Sequence, residues 1–451
     1  MEPIKFEEVL RWTGGTSREN EREIVFSGIS TDSRCLCKDC LFVALRGKNF
    51  DGHNFVLDAV KSGALGILTE RQLPYNVPQI IVDDSIRALG DIARNYKRKF
   101  NCTVIGITGS DGKTTTKEMS AFLLGSVFNV CCNQGNFNNE IGLPLSMFNI
   151  SKKTEIGIFE LGMNGKNQLR YLGDILRPDI VVITSIGYAH LGFFKNRRDL
   201  AEAKAEILEN ISIDGITLFN EDTDFYDVLR EKGAHTLKGI GLGPSSDFRG
   251  FVKNYNEDYF DLEISLWKNI IFRINSWNGA IAYPALFSIF LADYFGIPKN
   301  RLPAMLHNFV LIGGRGKIRI SNDIKIFDES YNANPGSMKT AIEYFALQKA
   351  KRKIVIIGAM AELGKWSKFY HKKIADIVRK SCFDFVFTIG DDARIISDSV
   401  ENKGMHFDNL EDMVKHVCSF VKPGDSILVK GSRINQLDVL VQKLTMKTEK
   451  K

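Results

Sequence analysis

At 451 residues the chain is too long for a single hydrophobic core, and its length predicts about three domains. Its 44% apolar and 25% charged content are those of a soluble globular protein, and a net charge of +6 is too small at this length to imply a nucleic-acid partner. No apolar run reaches the roughly 20 residues needed to span a bilayer, so no membrane insertion is expected. Residues 1–5 open no signal peptide, and eight cysteines spread over this length make no disulfide scaffold; reduced thiols in the cytoplasm are expected. Cys35, Cys37 and Cys40 form the one cluster, but no second pair or histidine knuckle accompanies them, so they read as free thiols rather than as a zinc site.

Taken in chain order, residues 1–99 mix short strands such as 41–45 with helical stretches such as 54–62, and the basic run Tyr96-Lys97-Arg98-Lys99 marks a boundary. A central unit over 100–312 opens with an apolar strand at 103–107, then Thr108-Gly109-Ser110-Asp111-Gly112-Lys113-Thr114, then a helix start at Thr114-Thr115. Strand, glycine-rich turn and helix N-terminus together aim backbone N–H groups at phosphate oxygens, and the pattern predicts a bound nucleoside triphosphate. The spacing departs from a Walker A loop, which would place glycine at position 107, where Ile107 stands; Gly109 opens a shorter loop. Strands at 156–161, 180–186 and 216–220 follow, with a helix over about 198–210. After Gly313-Gly314, a unit over 313–451 carries strands at 324–328, 353–358, 385–390 and 426–430, and ends in a disordered tail at 447–451. The chain therefore reads as α/β in three domains: a central P-loop-type, mostly parallel sheet flanked by helices, with a C-terminal Rossmann-like domain after it. Ligand residues belong at the carboxyl ends of the strands, and the cleft between the second and third domains is the natural reaction site.

Glu160, ending its strand beside the phosphate loop, suits Mg²⁺, a hard cation that takes a few carboxylates or hydroxyls along with phosphate oxygens. On chemistry alone, His190 reads as a satisfied histidine and Lys204 as a solvated lysine on a helix face. Three polar strings stand out: Gly135-Asn136-Phe137-Asn138-Asn139-Glu140, Asp328-Glu329-Ser330-Tyr331-Asn332-Ala333-Asn334-Pro335 and Lys430-Gly431-Ser432-Arg433. Each is also compatible with ordinary turn chemistry.

Together and in this order, these strings resemble the Mur ligase family over almost the full length. The Ser-Tyr-Asn-Ala-Asn-Pro string at 330–335 points to its D-alanyl-D-alanine-adding branch. The resemblance implies an acyl-phosphate mechanism. ATP activates the terminal carboxylate of UDP-N-acetylmuramoyl-tripeptide, and the amine of D-alanyl-D-alanine displaces the phosphate; the ligase acts as a cytoplasmic monomer. It implies that Ser33, Arg34, Leu45 and Arg46 contact the uridine nucleotide, and Asn136, Asn138 and Asn139 the muramoyl substrate. Thr108 to Thr115 (Gly109, Ser110, Asp111, Gly112, Lys113 and Thr114 between them), with Asn278, Arg315, Asp328 and Glu329, hold ATP. Lys113, Glu160, His190 and Lys204 are the catalytic set. Thr114 and Glu160 hold one Mg²⁺; Glu160 and His190, with a carbamylated Lys204, support a second. Tyr331, Asn332, Asn334, Lys430, Ser432 and Arg433 complete the substrate wall. Three positions depart from the family pattern: Trp277 and Ile281 at the adenine-contacting helix start, Glu329 in place of Asp, and Ala359 in place of Asp. Trp277 is expected to offer adenine a stacking face. The competing expectations are a sister ligase adding a single amino acid, a ligase of the folylpolyglutamate type, or a non-catalytic nucleotide-binding or regulatory protein.

Overall fold

The computed structural model describes residues 1–18, 23–47, 50–232 and 236–446; the expected disordered tail lies outside them. Three sheets organise the chain. The first is a four-stranded parallel sheet, Gly28–Ser30, Cys40–Val43, Gly66–Thr69 and Gln79–Ile81, preceded by the small antiparallel pair Ile4–Lys5 and Val25–Phe26. The second has nine strands, in the order Ile271–Ile274, Phe260–Ile264, Phe248–Lys253, Thr236–Gly241, Ile216–Asn220, Ile180–Ile183, Thr103–Thr108, Ile156–Glu160 and Val130–Cys132. Seven of these run parallel, and the two at 260–274 form an antiparallel edge. The third orders Lys317–Ser321, Ile324–Glu329, Asp425–Lys430, Arg352–Gly358, Phe385–Ile389 and Gly404–Phe407, parallel except for its first strand.

The central strands are apolar at successive positions because both faces are covered. Ile105, Ile107, Ile156, Ile158, Ile180 and Val182 point into one core, while Val104, Phe159, Val181 and Ile183 point into the other. This is the period-two alternation of a strand buried on both sides. The second of these cores also takes in Ile4, Phe6, Val9 and Tyr96, so the amino-terminal segment packs directly on the central one. Tyr96, on the helix Ser85–Lys97, donates its hydroxyl to the Ile150 carbonyl at 2.7 Å across that junction.

Register brings the carboxyl ends of the central strands together. Ile107 lies opposite Glu160 and Thr108 opposite Ile183. The helix Lys113–Leu124 leaves this edge and packs against Ala282–Tyr294, with Ser120 Oγ and Ser288 Oγ 3.0 Å apart. The expected helix over 198–210 is an α-helix at Arg197–Ala205 continued by a 3₁₀ turn at Glu206–Asn210.

Two expectations are corrected. Cys37 and Cys40 are joined in a disulfide rather than standing as thiols, while Cys35, Cys102, Cys131, Cys132 and Cys382 are free. Trp277 is not a stacking face: its indole is 0% exposed and sits edge-on to Phe327, 5.1 Å between centroids, within the core of the third sheet. The chain has just left the last central strand at Ile274, and burying this large apolar ring against Phe327 is worth more than exposing it to a polar cleft.

Candidate active site

The phosphate loop depends on two glycines in the left-handed half of backbone space. Gly109 has φ 144° and Gly112 φ 82°; a Cβ on Gly109 would stand 2.0 Å from Thr184 Oγ1. The next strand braces the loop from outside. Thr184 Oγ1 donates to the Asp111 carbonyl at 2.6 Å, Asp111 N donates to Ser185 Oγ at 2.9 Å, and Gly187 N donates to Ser110 Oγ at 2.8 Å. Lys113 curls over the loop and donates from Nζ to the Gly109 carbonyl at 2.8 Å. Thr108 lies behind it, buried, donating to the Leu161 carbonyl at 3.0 Å.

Glu160 is 4% exposed and fully engaged. Thr114 Oγ1 donates to its Oε2 at 2.6 Å and Asn138 Nδ2 to its Oε1 at 2.9 Å. Asn133 clamps its peptide from both sides, accepting from Glu160 N at 2.9 Å and donating to Glu160 O at 3.0 Å.

Lys204 lies on a buried turn of its helix, 1% exposed, and its ammonium has no hydrogen bond or ion pair to any described residue. Burial, reinforced by the charge of Lys113, holds its pKa well below the usual lysine value, against a smaller opposing pull from Asp111. The solvated helix face is thereby excluded. His190 adopts φ 63°, and its Nδ1 lies 2.5 Å from Glu362 Oε2. That contact holds the Glu362 carboxyl below the ordinary range despite partial burial.

The third segment closes the other side. Asn334 caps the helix Pro335–Ala346, accepting from Ser337 N at 3.1 Å, and its Nδ2 reaches Asp111 Oδ1 at 2.6 Å. Tyr331 donates its hydroxyl to Asn136 Oδ1, and the Arg315 guanidinium stacks 3.8 Å above the tyrosine ring. Glu329 accepts from Asn278 Nδ2 at 2.9 Å and pairs with Lys430 at 3.2 Å; Lys430 also donates to the Asn332 carbonyl at 3.1 Å. The result is a cleft of about 1470 Å³ walled by the phosphate loop, Asn136, Asn138 and Asn139, Glu160, His190, Asn278, Arg315, Glu329, Tyr331, Asn332, Asn334 and Lys430.

Several candidates stand off that wall. Asp328 is buried, bonded to Arg319 at 3.0 Å and Ser330 at 2.6 Å. Ser432 donates to the Ala333 carbonyl at 3.1 Å behind the wall, and Arg433, exposed and near Asp438, reaches the wall only through the Tyr331 ring, 5.7 Å from its guanidinium. Ser33, Arg34, Leu45 and Arg46 sit on the first sheet's loops, with Arg34 paired to Asp32 at 2.8 Å and Arg46 bridged to Asp51. Ala359 N donates to the Ile389 carbonyl at 2.9 Å, a strand-end role that needs no carboxylate. The sequence reading missed Asn133, Glu362 and the first segment's contribution of Asp84, Ile86 and Arg87 to the cleft. Glu362 was within reach, since it lies just past the strand expected at 353–358, where ligand residues belong.

Known protein families match all three segments of the chain. Residues 107–286 match the Mur ligase middle domain, 314–433 the Mur ligase glutamate ligase domain, and 25–97 the Mur ligase family catalytic domain. The chain belongs to the Mur ligase family. Within that family it is 32% identical over 447 residues to the UDP-N-acetylmuramoyl-tripeptide–D-alanyl-D-alanine ligase of Bacillus subtilis (strain 168), with 96% of each chain covered. The ligase of the same name from Escherichia coli (strain K12) is 29% identical over 437 residues, covering 94% of each. Among solved structures, MurF from Acinetobacter baumannii superposes with a TM-score of 0.90 at 26% identity over 99% of both chains. MurF ligase from Thermotoga maritima, crystallised in complex with ADP, gives 0.84 at 29% identity over 94% of this chain and 98% of that one.

Proposed function

We infer that this chain is an ATP-dependent peptide ligase that joins D-alanyl-D-alanine to UDP-N-acetylmuramoyl-tripeptide in peptidoglycan precursor synthesis. The observation that carries the reading is the 2.6 Å contact between Asp111 of the phosphate loop and Asn334 of the Ser-Tyr-Asn-Ala-Asn-Pro string, which makes one cleft of the nucleotide loop and the branch-specific string. The γ-phosphoryl of ATP passes to the tripeptide's terminal carboxylate, giving an acyl phosphate and ADP. The D-alanyl-D-alanine amine then attacks, losing a proton, and the tetrahedral intermediate collapses to amide and phosphate. Charge gathers on the transferring phosphoryl oxygens, so oriented donors and cations dominate the catalysis. Lys113, one torsional swing from its present carbonyl partners, meets those oxygens together with the loop N–H groups.

The donor set fits Mg²⁺: a hydroxyl and a carboxylate 2.6 Å apart at a phosphate loop are hard oxygen ligands. Among the described residues, no group of three or more His, Cys, Asp or Glu side chains forms a metal cage, so most ligands would come from phosphate and water. Thr114 and Glu160 would hold this ion, which neutralises phosphate charge when bound. Glu160, His190 and a modified Lys204 would support a second. A lysine buried without a partner is driven toward the neutral amine, the form that adds carbon dioxide, and carbamylation would turn it into an anionic ligand.

Asn278, Arg315, Glu329 and the loop residues 108–115 serve the nucleotide; Asn136, Asn138, Asn139, Tyr331, Asn332, Asn334 and Lys430 serve the acceptor and the incoming dipeptide. The first segment's Ser33, Arg34, Leu45 and Arg46 serve the uridine nucleotide. Domain limits at 99/100 and 312/313, a monomeric state, a cytoplasmic location and the absence of a nucleic-acid partner belong to the same reading. Among the described residues, no helix is long and apolar enough to cross a membrane. Phosphate release from ATP is the test. It is expected with UDP-muramoyl-tripeptide plus D-alanyl-D-alanine, and release only with UDP-muramoyl-dipeptide plus a single amino acid would overturn the assignment.

A further inference from the structure

One charged side chain buried beside the cleft has no part in the reaction as described. Lys117 lies one turn beyond Lys113 on the same helix and is 0% exposed. Its ammonium pairs with Glu118 at 2.8 Å and donates to the carbonyl of Asn133 at 2.5 Å. Asn133 is itself fully buried; its side chain bonds both the N–H and the carbonyl of Glu160, and also donates to the Phe137 carbonyl at 2.8 Å. The Glu160 carboxylate then returns to the helix through Thr114 at 2.6 Å. The contacts form a closed ring that starts at Lys117 and ends three residues away at Thr114. A methionine would fill the same volume without the desolvation penalty of a buried ion, so packing alone does not account for the ammonium. Its charge is balanced by Glu118, and what remains is a directional bond on the turn that clamps Glu160.

We propose that Lys117 is a positioning residue: through Asn133 it fixes the Glu160 carboxylate against Thr114 and against the Asn136–Asn139 loop. The proposal rests on the ligase reading above, and Lys117 itself touches neither nucleotide nor substrate. The test uses the full chain with Lys117→Met and two readouts, steady-state ligation and the rise in melting temperature on adding ADP with or without Mg²⁺. Lys117→Met is expected to lower kcat about tenfold, the usual effect of removing a group that orients a metal ligand, with KM for D-alanyl-D-alanine unchanged. The extra melting shift given by Mg²⁺ over ADP alone should vanish, while the shift from ADP alone persists. Glu118→Gln removes the counter-charge and should lower the absolute melting temperature, but it keeps the Asn133 bond, so kcat and the extra Mg²⁺-dependent shift should stay near those of the wild type. Should Lys117→Met fail to fold, Asn133→Ala cuts the ring one step nearer Glu160 and must show the same loss. A full Mg²⁺-dependent shift in folded Lys117→Met or in Asn133→Ala overturns the proposal, as does an equal loss in Glu118→Gln. Lack of ligation by the wild-type chain would count against the ligase reading alone, because the melting shift needs no turnover.

Discussion

Glu160 and Lys204 lie at the same end of the central sheet and are nearly equally buried, yet the protein treats them in opposite ways. Every polar atom of Glu160 is answered: Thr114 and Asn138 occupy its carboxylate and Asn133 its peptide. Lys204 is answered by nothing among the described residues, and burying an unpaired ammonium costs several kcal/mol. The first is a preorganised group, assembled by the chain alone. The second is a buried amine that the described residues leave without a partner, its pKa pushed down by burial.

The largest effect should come from the loop both groups serve. Lys113→Ala removes the cation that curls over the phosphate loop and is expected to lower kcat about a thousandfold in the phosphate-release assay; near-normal turnover would mean the loop orients phosphate by its N–H groups alone. Lys204→Ala should cost about a hundredfold. Wild-type activity should also fall when carbon dioxide is stripped from the buffer and recover with bicarbonate, a response the variant must lack. If the variant turns over normally, the contrast with Glu160 has no functional content. Glu362→Gln keeps the shape of the His190 contact and removes its charge; a loss of about tenfold or less in kcat is expected, with KM for ATP little changed.

The smallest effect concerns stability. Buried His371 accepts from Met360 N at 3.0 Å and so holds the segment that carries Glu362. Burial lowers its pKa below 6.5, so the unfolded chain takes up the proton first. Its contribution is therefore complete above pH 6.5 and is lost as the pH falls toward the folded value. Melting temperature measured from pH 7.5 down to 5 should fall less steeply in His371→Gln, with the pH range set for the assay at about one unit above and below the histidine pKa.

Local chemistry was legible in the sequence, while pairings across the chain were not. The loop from Thr108 to Thr114 announces itself because strand, glycine and helix start are contiguous, and Glu160 because it ends an apolar run. The strands at 236–274 went unread because their apolar residues are interrupted by polar or exposed ones instead of forming a continuous run, although only Ile271–Ile274 is an edge strand. Trp277 follows a strand and precedes a helix; nothing in its neighbours tells whether its ring turns to the cleft or to Phe327. The Asp111–Asn334 contact joins residues 223 apart, and Asn133 acquires its importance only once the strand ending in Glu160 is laid beside its own. Domain number follows from length, and sheet type from periodicity. The wall of the cleft follows from which distant turns the three sheets bring face to face.

The crowding at Gly109 bears on how such a cleft would respond to selection. Any side chain there meets Thr184 Oγ1 at 2.0 Å in a backbone conformation that side chains avoid, and the left-handed φ of Gly112 is equally restrictive. An inhibitor anchored on the main chain of these two residues, rather than on the exposed side chains of Asn136 or Asn332, would grip a surface that single substitutions cannot reshape without losing the loop. Resistance would then have to arise at the rim of the cleft or through enzyme abundance, leaving the floor unchanged.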